Sequence, residues 1–337
     1  MQPLPPLAWS APTTIDEVVA ALAEGVPGEV RLHAGGTDLV PNLKRGVTSA
    51  RRLIGLGRVA ELQELVDGPA DALGVGAAVT LDDLGRDPRV VARWPAVAEA
   101  ARQVASPQLR RMATLGGNLC LDTRCRFYDQ SAFWRGALGG CLKADGDACH
   151  VVPTGRKCVA ACCADTPAPL IAAGAELELA SVRGPRRVHV ADFFAGDGAR
   201  NHTLAPDELL VRVWLPAPAP GTRAGYQRLR RRGAIDFPLL TVAATVVVER
   251  DVVRAVTVVV GALGAVPRRL RGLDALAVGR PLDAAVRAAI AAAATRQCHP
   301  LDNLGDAAWR QAVVAPLVRR TLEALEPATA PDAASLR

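Results

Sequence analysis

Eight cysteines occur in the 337 residues, and four of them, Cys125, Cys141, Cys149 and Cys158, crowd into one polar, glycine-broken stretch. Such a stretch is a poor hydrophobic core, so the thiols invite a chemical reading. Four convergent thiolates close a tetrahedral zinc site or hold an iron–sulfur cluster. Zinc sites are usually built from close C-x₂₋₄-C pairs. Here successive cysteines lie 16, 8 and 9 residues apart, so each occupies its own turn, which suits wrapping a larger inorganic core. Zinc, an iron–sulfur cluster and unliganded thiols all remain open on spacing alone. Cys120, Cys162 and Cys163 flank the stretch, so spacing does not select the four ligands either.

Two glycine segments carry a second possible chemistry. Ala34-Gly35-Gly36-Thr37-Asp38-Leu39 follows a short apolar run and precedes a helical pattern. A strand-to-helix turn of this kind can offer several backbone N–H groups to a phosphate. Its glycines allow close approach of the ligand, Thr37 adds a hydroxyl, and Asp38 is placed to cap the helix. The G-x-G-x-x-G dinucleotide fingerprint is absent. Thr114-Leu115-Gly116-Gly117-Asn118-Leu119 is a second glycine-rich turn about 80 residues on. Together the two suggest opposite ends of one long phosphate-bearing cofactor, and a flavin there would colour the protein yellow. His33 and His150 read as packed or exposed side chains rather than ligands, and Cys298-His299-Pro300 as a helix boundary.

The elements that must position these residues follow an α+β pattern. Helical periodicity runs from Thr14 to Glu24 with Thr14 as N-cap, over Thr37 to Lys44, from Thr80 onward, and from Pro95 to Ala105, ended by Ser106-Pro107. Strands are expected at Val30 to Ala34, Arg52 to Gly55, Ala72 to Gly76, Ala175 to Ala180, Arg186 to His189 and Leu209 to Leu215. A buried helix covers Pro169 to Ala173. The run Pro216 to Gly221 reads as a linker. Beyond it come strands at Gly225 to Leu229, Leu240 to Glu249 and Val252 to Leu263, the last two joined by a tight turn at Arg250-Asp251, then helices at Leu282 to Ala294 and Asp306 to Leu325. The division is therefore 1–216 with an insert of about 120–163, 221–327, and a Pro/Ala tail at 328–337 expected to be disordered.

Length allows two or three packed units. No run of 18 apolar residues and no basic-plus-apolar leader is present, so a cytoplasmic protein is expected, with no membrane partner. A reducing compartment disfavours structural disulfides and favours metal or redox roles for the cysteines. The net charge of +6 and pI near 9.1 raise nucleic acid as a partner, but 4 % aromatic residues and arginines interleaved with acids argue against it. A basic surface would instead steer an acidic protein such as a ferredoxin, with Lys143, Arg156 and Lys157 beside the cysteines as its docking cations. Phe127, Tyr128 and Trp134 are expected to pack the insert against the rest of the protein.

AGGTDL, ATLGGNL and YQRLRRRGAIDFPLLTVAA at 226–244 together resemble the flavin-binding medium subunits of the xanthine dehydrogenase and carbon monoxide dehydrogenase family. The insert LDTRCRFYDQSAFWR…CLKADGDACHV…C is similar to that of the beta subunits of 4-hydroxybenzoyl-CoA reductases. The resemblance spans about residues 5–325. It implies a vanillyl-alcohol-oxidase-like (PCMH-type) FAD-binding fold of two subdomains, followed by a C-terminal α/β domain of the CO dehydrogenase flavoprotein type. It also implies FAD held at Ala34, Gly35, Gly36, Thr37, Asp38 and Leu39 and at Thr114, Gly116, Gly117 and Asn118. Asp165, displaced by the insert, corresponds to the acid that contacts the FAD sugar chain, with Asp122 as the other candidate. Arg228 stands where most relatives have lysine near the flavin, and Asp236 keeps that motif's acid. A 4Fe-4S cluster on Cys125, Cys141, Cys149 and Cys158 is implied likewise. The implied assembly is a heterotrimer, dimerised, with a large molybdopterin subunit and a small 2Fe-2S subunit. Electrons from reduced ferredoxin would pass through this chain toward reductive dehydroxylation in aromatic degradation. No catalytic residue is expected on this chain.

Overall fold

A computed structural model describes residues 3–326; the tail at 328–337 lies outside the described residues. Three sheets organise the chain. Ala8–Ser10, Arg52–Gly55 and Val30–His33 form a parallel sheet in that order, against which Ile15–Ala23 packs. That helix starts where the Thr14 hydroxyl accepts the Glu17 N–H. Leu65–Asp67, Leu73–Gly76, Leu209–Leu215, Glu176–Ala180 and Arg186–His189 form an antiparallel five-stranded sheet. The helices Leu81–Arg86, Pro88–Arg93, Pro95–Gln103 and Pro167–Ala172 share its core. The apolar helix stops at Gln103, earlier than expected, and Ser106-Pro107 instead opens another, Pro107–Arg110, with the Ser106 hydroxyl as cap.

Residues 216–221 lead from this sheet to a second antiparallel one built from Thr222–Leu229, Leu240–Glu249, Val252–Gly261 and Arg268–Arg269. The hairpin turn Arg250-Asp251 has positive φ at both residues (49° and 62°), the handedness that matches strand twist. Side-chain alternation divides this sheet between two cores. Val242, Ala244, Val246, Val258 and Val260 face the helices Ala284–Gln297 and Ala307–Glu323. Ala243, Val259 and Tyr226 face the other way and join the core beside the five-stranded sheet. The two halves therefore share buried apolar surface.

The cysteine stretch is mostly irregular. Its base is a bridge between Arg124 and Ala161, each accepting the other's N–H at 2.7–2.8 Å. One helix, Ala132–Ala137, not anticipated from sequence, starts at the Ser131 hydroxyl. The Tyr128 hydroxyl donates to the Val47 carbonyl at 3.0 Å, and the Arg135 guanidinium to the Gly46 carbonyl at 3.1 Å, tying the insert to the flavin half. Asn303 ties it to the C-terminal half: its amide donates to the carbonyls of Val159 (2.6 Å) and Leu263 (3.2 Å). Phe127 and Trp134 depart in part from expectation. Their rings lie 6.2 Å apart and Phe127 also meets His150 at 5.3 Å, contacts within the insert, while Phe127 packs as well on the hydrophobic cluster that joins Val47 to the insert.

Candidate functional site: a flavin cleft and a thiol cage

The first glycine turn leaves the parallel sheet at His33 and enters the helix Leu39–Lys44. A Cβ on Gly35 would stand 1.6 Å from the Met112 carbonyl oxygen, so only glycine lets this turn lie against the chain leading into the second. Gly36 has φ +68° and is the residue that can hold that conformation without strain. The amides of Gly35, Gly36, Thr37 and Asp38 find no protein acceptor among the described residues, so they are available to an anionic group. Asp38 stands at the helix N-cap but makes no capping bond. Its carboxylate instead accepts from the Asn42 amide at 2.9 Å and pairs with Arg124. Burial pushes the Asp38 carboxyl above its ordinary value, opposed by Arg124.

The second glycine segment is not an open turn. Leu115–Leu119 is a single turn of helix, with the Thr114 hydroxyl accepting the Gly117 N–H at 3.1 Å. The Leu115 and Gly116 amides donate to Val79 and Ala77, and a Cβ on Gly116 would lie 2.8 Å from Ala77. Its amides are thus spent on the scaffold, and its glycines serve close packing. Asn118 bridges onward: its side-chain oxygen accepts from the Thr166 N–H (3.1 Å) and hydroxyl (2.7 Å), next to Asp165.

Asp165 and Arg228 do meet. The Asp165 carboxylate accepts from Arg228 at 2.9 Å and from the Tyr226 hydroxyl at 2.6 Å, with both side chains of the ion pair out of solvent. Burial raises the Asp165 carboxyl, and the Arg228 charge opposes it. Arg228 also donates to the Gln103 and Asp236 carbonyls, at 2.7 and 2.6 Å. Asp236 in turn accepts the Arg231 and Arg232 amides at 3.0 Å, holding the loop that presents Phe237.

Cys125, Cys141, Cys149 and Cys158 line one cavity. Folding thus selects four of the eight thiols. Cys120 and Cys162 belong to the flavin-half core, Cys163 is buried, and Cys298 sits in the C-terminal core. Burial pushes Cys120 up to about 12 and Cys162 and Cys298 to about 11, so they stay protonated near neutrality. Within the cavity, burial also raises Cys125, opposed by the Phe127 and Tyr128 amides, and pushes Cys158 to about 11. Gly198 presses on this wall: a Cβ there would lie 2.9 Å from the Cys158 sulfur. Among the described residues no three His, Cys, Asp or Glu side chains are arranged to grip a single metal ion.

Arg124 joins the two regions, and sequence reasoning passed it over. It immediately precedes Cys125, its side chain is 4 % exposed, and its guanidinium pairs with Asp38 and, at 3.2 Å, with Asp129. The same group lies 4.9 Å from the Phe237 ring centroid. Its Nε and that of Arg228 are buried without a protein acceptor. The clue in the sequence was a basic residue abutting a candidate ligand, but nothing local revealed its carboxylate partner 86 residues away.

Other expectations change. Lys143 is not a surface cation: its side chain is 5 % exposed and its ammonium pairs with Asp122 at 2.6 Å. Arg156 and Lys157 are exposed. Asp122 is engaged by that lysine at the cavity wall. His150 lines the cavity, with Nε2 2.6 Å from the Gly140 carbonyl oxygen, and His33 stacks edge-on against Trp9.

Free turn amides, orphaned guanidinium nitrogens and a glycine-enforced close approach suit an anionic cofactor. The comparisons give that class a family. Residues 5–218 match the family described as the FAD binding domain in molybdopterin dehydrogenase, and residues 224–325 match the CO dehydrogenase flavoprotein C-terminal domain. The chain is 27 % identical over 321 residues to the carbon monoxide dehydrogenase medium chain of Hydrogenophaga pseudoflava, covering 95 % of this chain and 97 % of that one. It is 32 % identical over 236 residues to the aldehyde oxidoreductase FAD-binding subunit of Escherichia coli K12, covering 67 % and 73 %. The solved carbon monoxide dehydrogenase from H. pseudoflava superposes with a TM-score of 0.77 at 26 % identity, covering 96 % and 98 %. This chain belongs to the FAD-binding medium subunits of the xanthine dehydrogenase and carbon monoxide dehydrogenase family of molybdenum hydroxylases. Among the described residues no helix is long and apolar enough to cross a membrane.

Proposed function

We propose that this chain is the FAD and 4Fe-4S subunit of a molybdenum-containing 4-hydroxybenzoyl-CoA reductase. In this reading it passes electrons from reduced ferredoxin toward the 2Fe-2S clusters and molybdenum site of two partner subunits, in a cytoplasmic heterotrimer that dimerises. The observation that carries the reading is the convergence of four cysteines, from four separate turns, on one cavity anchored through Arg124 to the first glycine turn.

The reading draws on the donor chemistry present: turn amides for an anionic cofactor and four thiols for a cluster. The free amides at 35–38 would hold the FAD pyrophosphate, with Gly116, Gly117 and Asn118 shaping the far wall. Asp165, held by Arg228 and Tyr226, fixes the seam where the C-terminal half closes on the cleft. The division into residues 1–216, with an insert of about 120–163, and 221–327 follows from the same reading. Cys125, Cys141, Cys149 and Cys158 would hold the cluster, and their thiols must lose protons as it binds. A cluster there would supply single-electron carriage and FAD the exchange between single electrons and pairs. This chain's own work would be to hold both and to exclude water from the cluster with Phe127, Tyr128 and Val159.

Anaerobic purification with iron, sulfide, zinc and flavin analysis tests the cofactors. Four irons and one FAD per chain are expected; one zinc and no flavin overturns the reading. The co-purified holoenzyme should then reduce 4-hydroxybenzoyl-CoA with a low-potential donor. A second reading, an FAD subunit of a related hydroxylase acting oxidatively on an aldehyde or N-heterocycle, is favoured by its relatives, which include subunits of an aldehyde oxidoreductase and a nicotine 6-hydroxylase. Turnover of such a substrate without reduction of the thioester would select it.

A further inference from the structure

Lys143 lines the thiol cavity, yet its ammonium is removed from solvent and held by four oxygens. It pairs with the Asp122 carboxylate at 2.6 Å and donates to the Gly198 carbonyl at 2.9 Å and the Thr123 carbonyl at 3.2 Å, with the Thr123 hydroxyl as the fourth. The Tyr128 ring centroid lies 4.6 Å away on another side. A lysine so immobilised is a fixed charge. Removing it from water is costly, so a surface role would have left it free. The fixed ammonium shares the cavity lining with all four cysteines, so its field acts on whatever they hold.

We propose that Lys143 is the buried charge that sets the reduction potential of the metal cluster held by Cys125, Cys141, Cys149 and Cys158. The inference rests on the cluster reading above. Reduction adds one electron to the iron–sulfur core and makes the core with its four thiolates one unit more negative. Cluster potential depends on net charge, hydrogen bonds and solvent exposure, and a cation in this poorly solvated wall stabilises the reduced form more than the oxidised one. Asp122 partly cancels that charge. The pair therefore makes a prediction of opposite signs: losing the lysine lowers the potential, and losing the aspartate raises it.

The test is an EPR-monitored anaerobic redox titration of the full chain, with dithionite as the electron donor and iron and FAD measured on every sample. Lys143→Met should lower the cluster midpoint by about 59 mV or more, a tenfold change in a one-electron equilibrium. Asp122→Asn should raise it, Lys143→Arg should return it toward wild type, and the flavin midpoint should move less than the cluster's. A purely structural lysine would lower iron content while leaving the potential of the remaining clusters unchanged, and that result overturns the proposal. Shifts of the same sign in Lys143→Met and Asp122→Asn overturn it as well. Where Lys143→Met binds no iron, Asp122→Asn decides alone: an unchanged or lowered midpoint rejects the idea. Wild-type protein that takes up no iron removes the cluster reading itself, whereas four irons with an unresponsive midpoint removes only Lys143's role.

Discussion

The candidate flavin site and the thiol cavity are joined by Arg124 and are built by opposite means. The cleft rests on strand ends and helix starts: His33 closes a strand, Thr114 caps a helix, and Asn118, Asp165 and Arg228 are already hydrogen-bonded to the protein. The cage has one short helix, and side chains reaching to backbone carbonyls do the work of a ladder: Tyr128 to Val47, Arg135 to Gly46, Lys143 to Gly198 and Asn303 to Val159. Regular structure satisfies backbone groups by itself, whereas an irregular segment depends on such individual bonds and on whatever it encloses. The cleft should therefore exist before its cofactor binds, and the cage should be completed by its own.

Substitutions at four positions break or sharpen this contrast. Cys141→Ser should abolish the 4Fe-4S signal and iron content while leaving FAD bound at wild-type stoichiometry; retained iron would refute the ligand set. Arg124→Ala should damage both regions at once, because it strands Asp38 and Asp129. The loss in denaturant-unfolding free energy should approach the lower end of the roughly 3–5 kcal/mol that breaking a buried pair costs, since both carboxylates keep some access to water. Flavin and iron should fall together, and loss of only one would show the regions to be independent. Gly35→Ala forces the Met112 carbonyl aside and should cost about 1–3 kcal/mol, with weakened FAD binding and unchanged iron per chain. The smallest effect is expected at Gly117→Ala. Contact with the Thr114 hydroxyl at 3.0 Å opposes a helix-propensity gain of up to about 1 kcal/mol, so thermal unfolding should shift little.

Local chemistry was legible wherever it stayed local. Thr14 and Thr80 cap the helices their positions suggested, and the Arg250-Asp251 turn closes the hairpin its flanking valines imply. Asp38 was misread because a capping residue's preference yielded to an ion pair with an arginine far along the chain. Thr114 to Leu119 read as an open turn because two glycines signal flexibility, but packing against Ala77 wound them into a helix. Lys143 read as a surface cation because lysine usually is one, and only the fold brought Asp122, Thr123 and Gly198 around it.

By itself the chain's sequence determined the element pattern, the glycine turns and an excess of cysteines in one unstructured stretch, because periodicity, capping and composition act over a few residues. Which thiols converge, which glycine turn keeps its amides free, and that Arg124 links the two regions were decided by tertiary structure. The anchoring contacts join distant residues, Asp38 with Arg124 across 86 positions and Val159 with Asn303 across 144, and chain closure over such distances leaves no local mark.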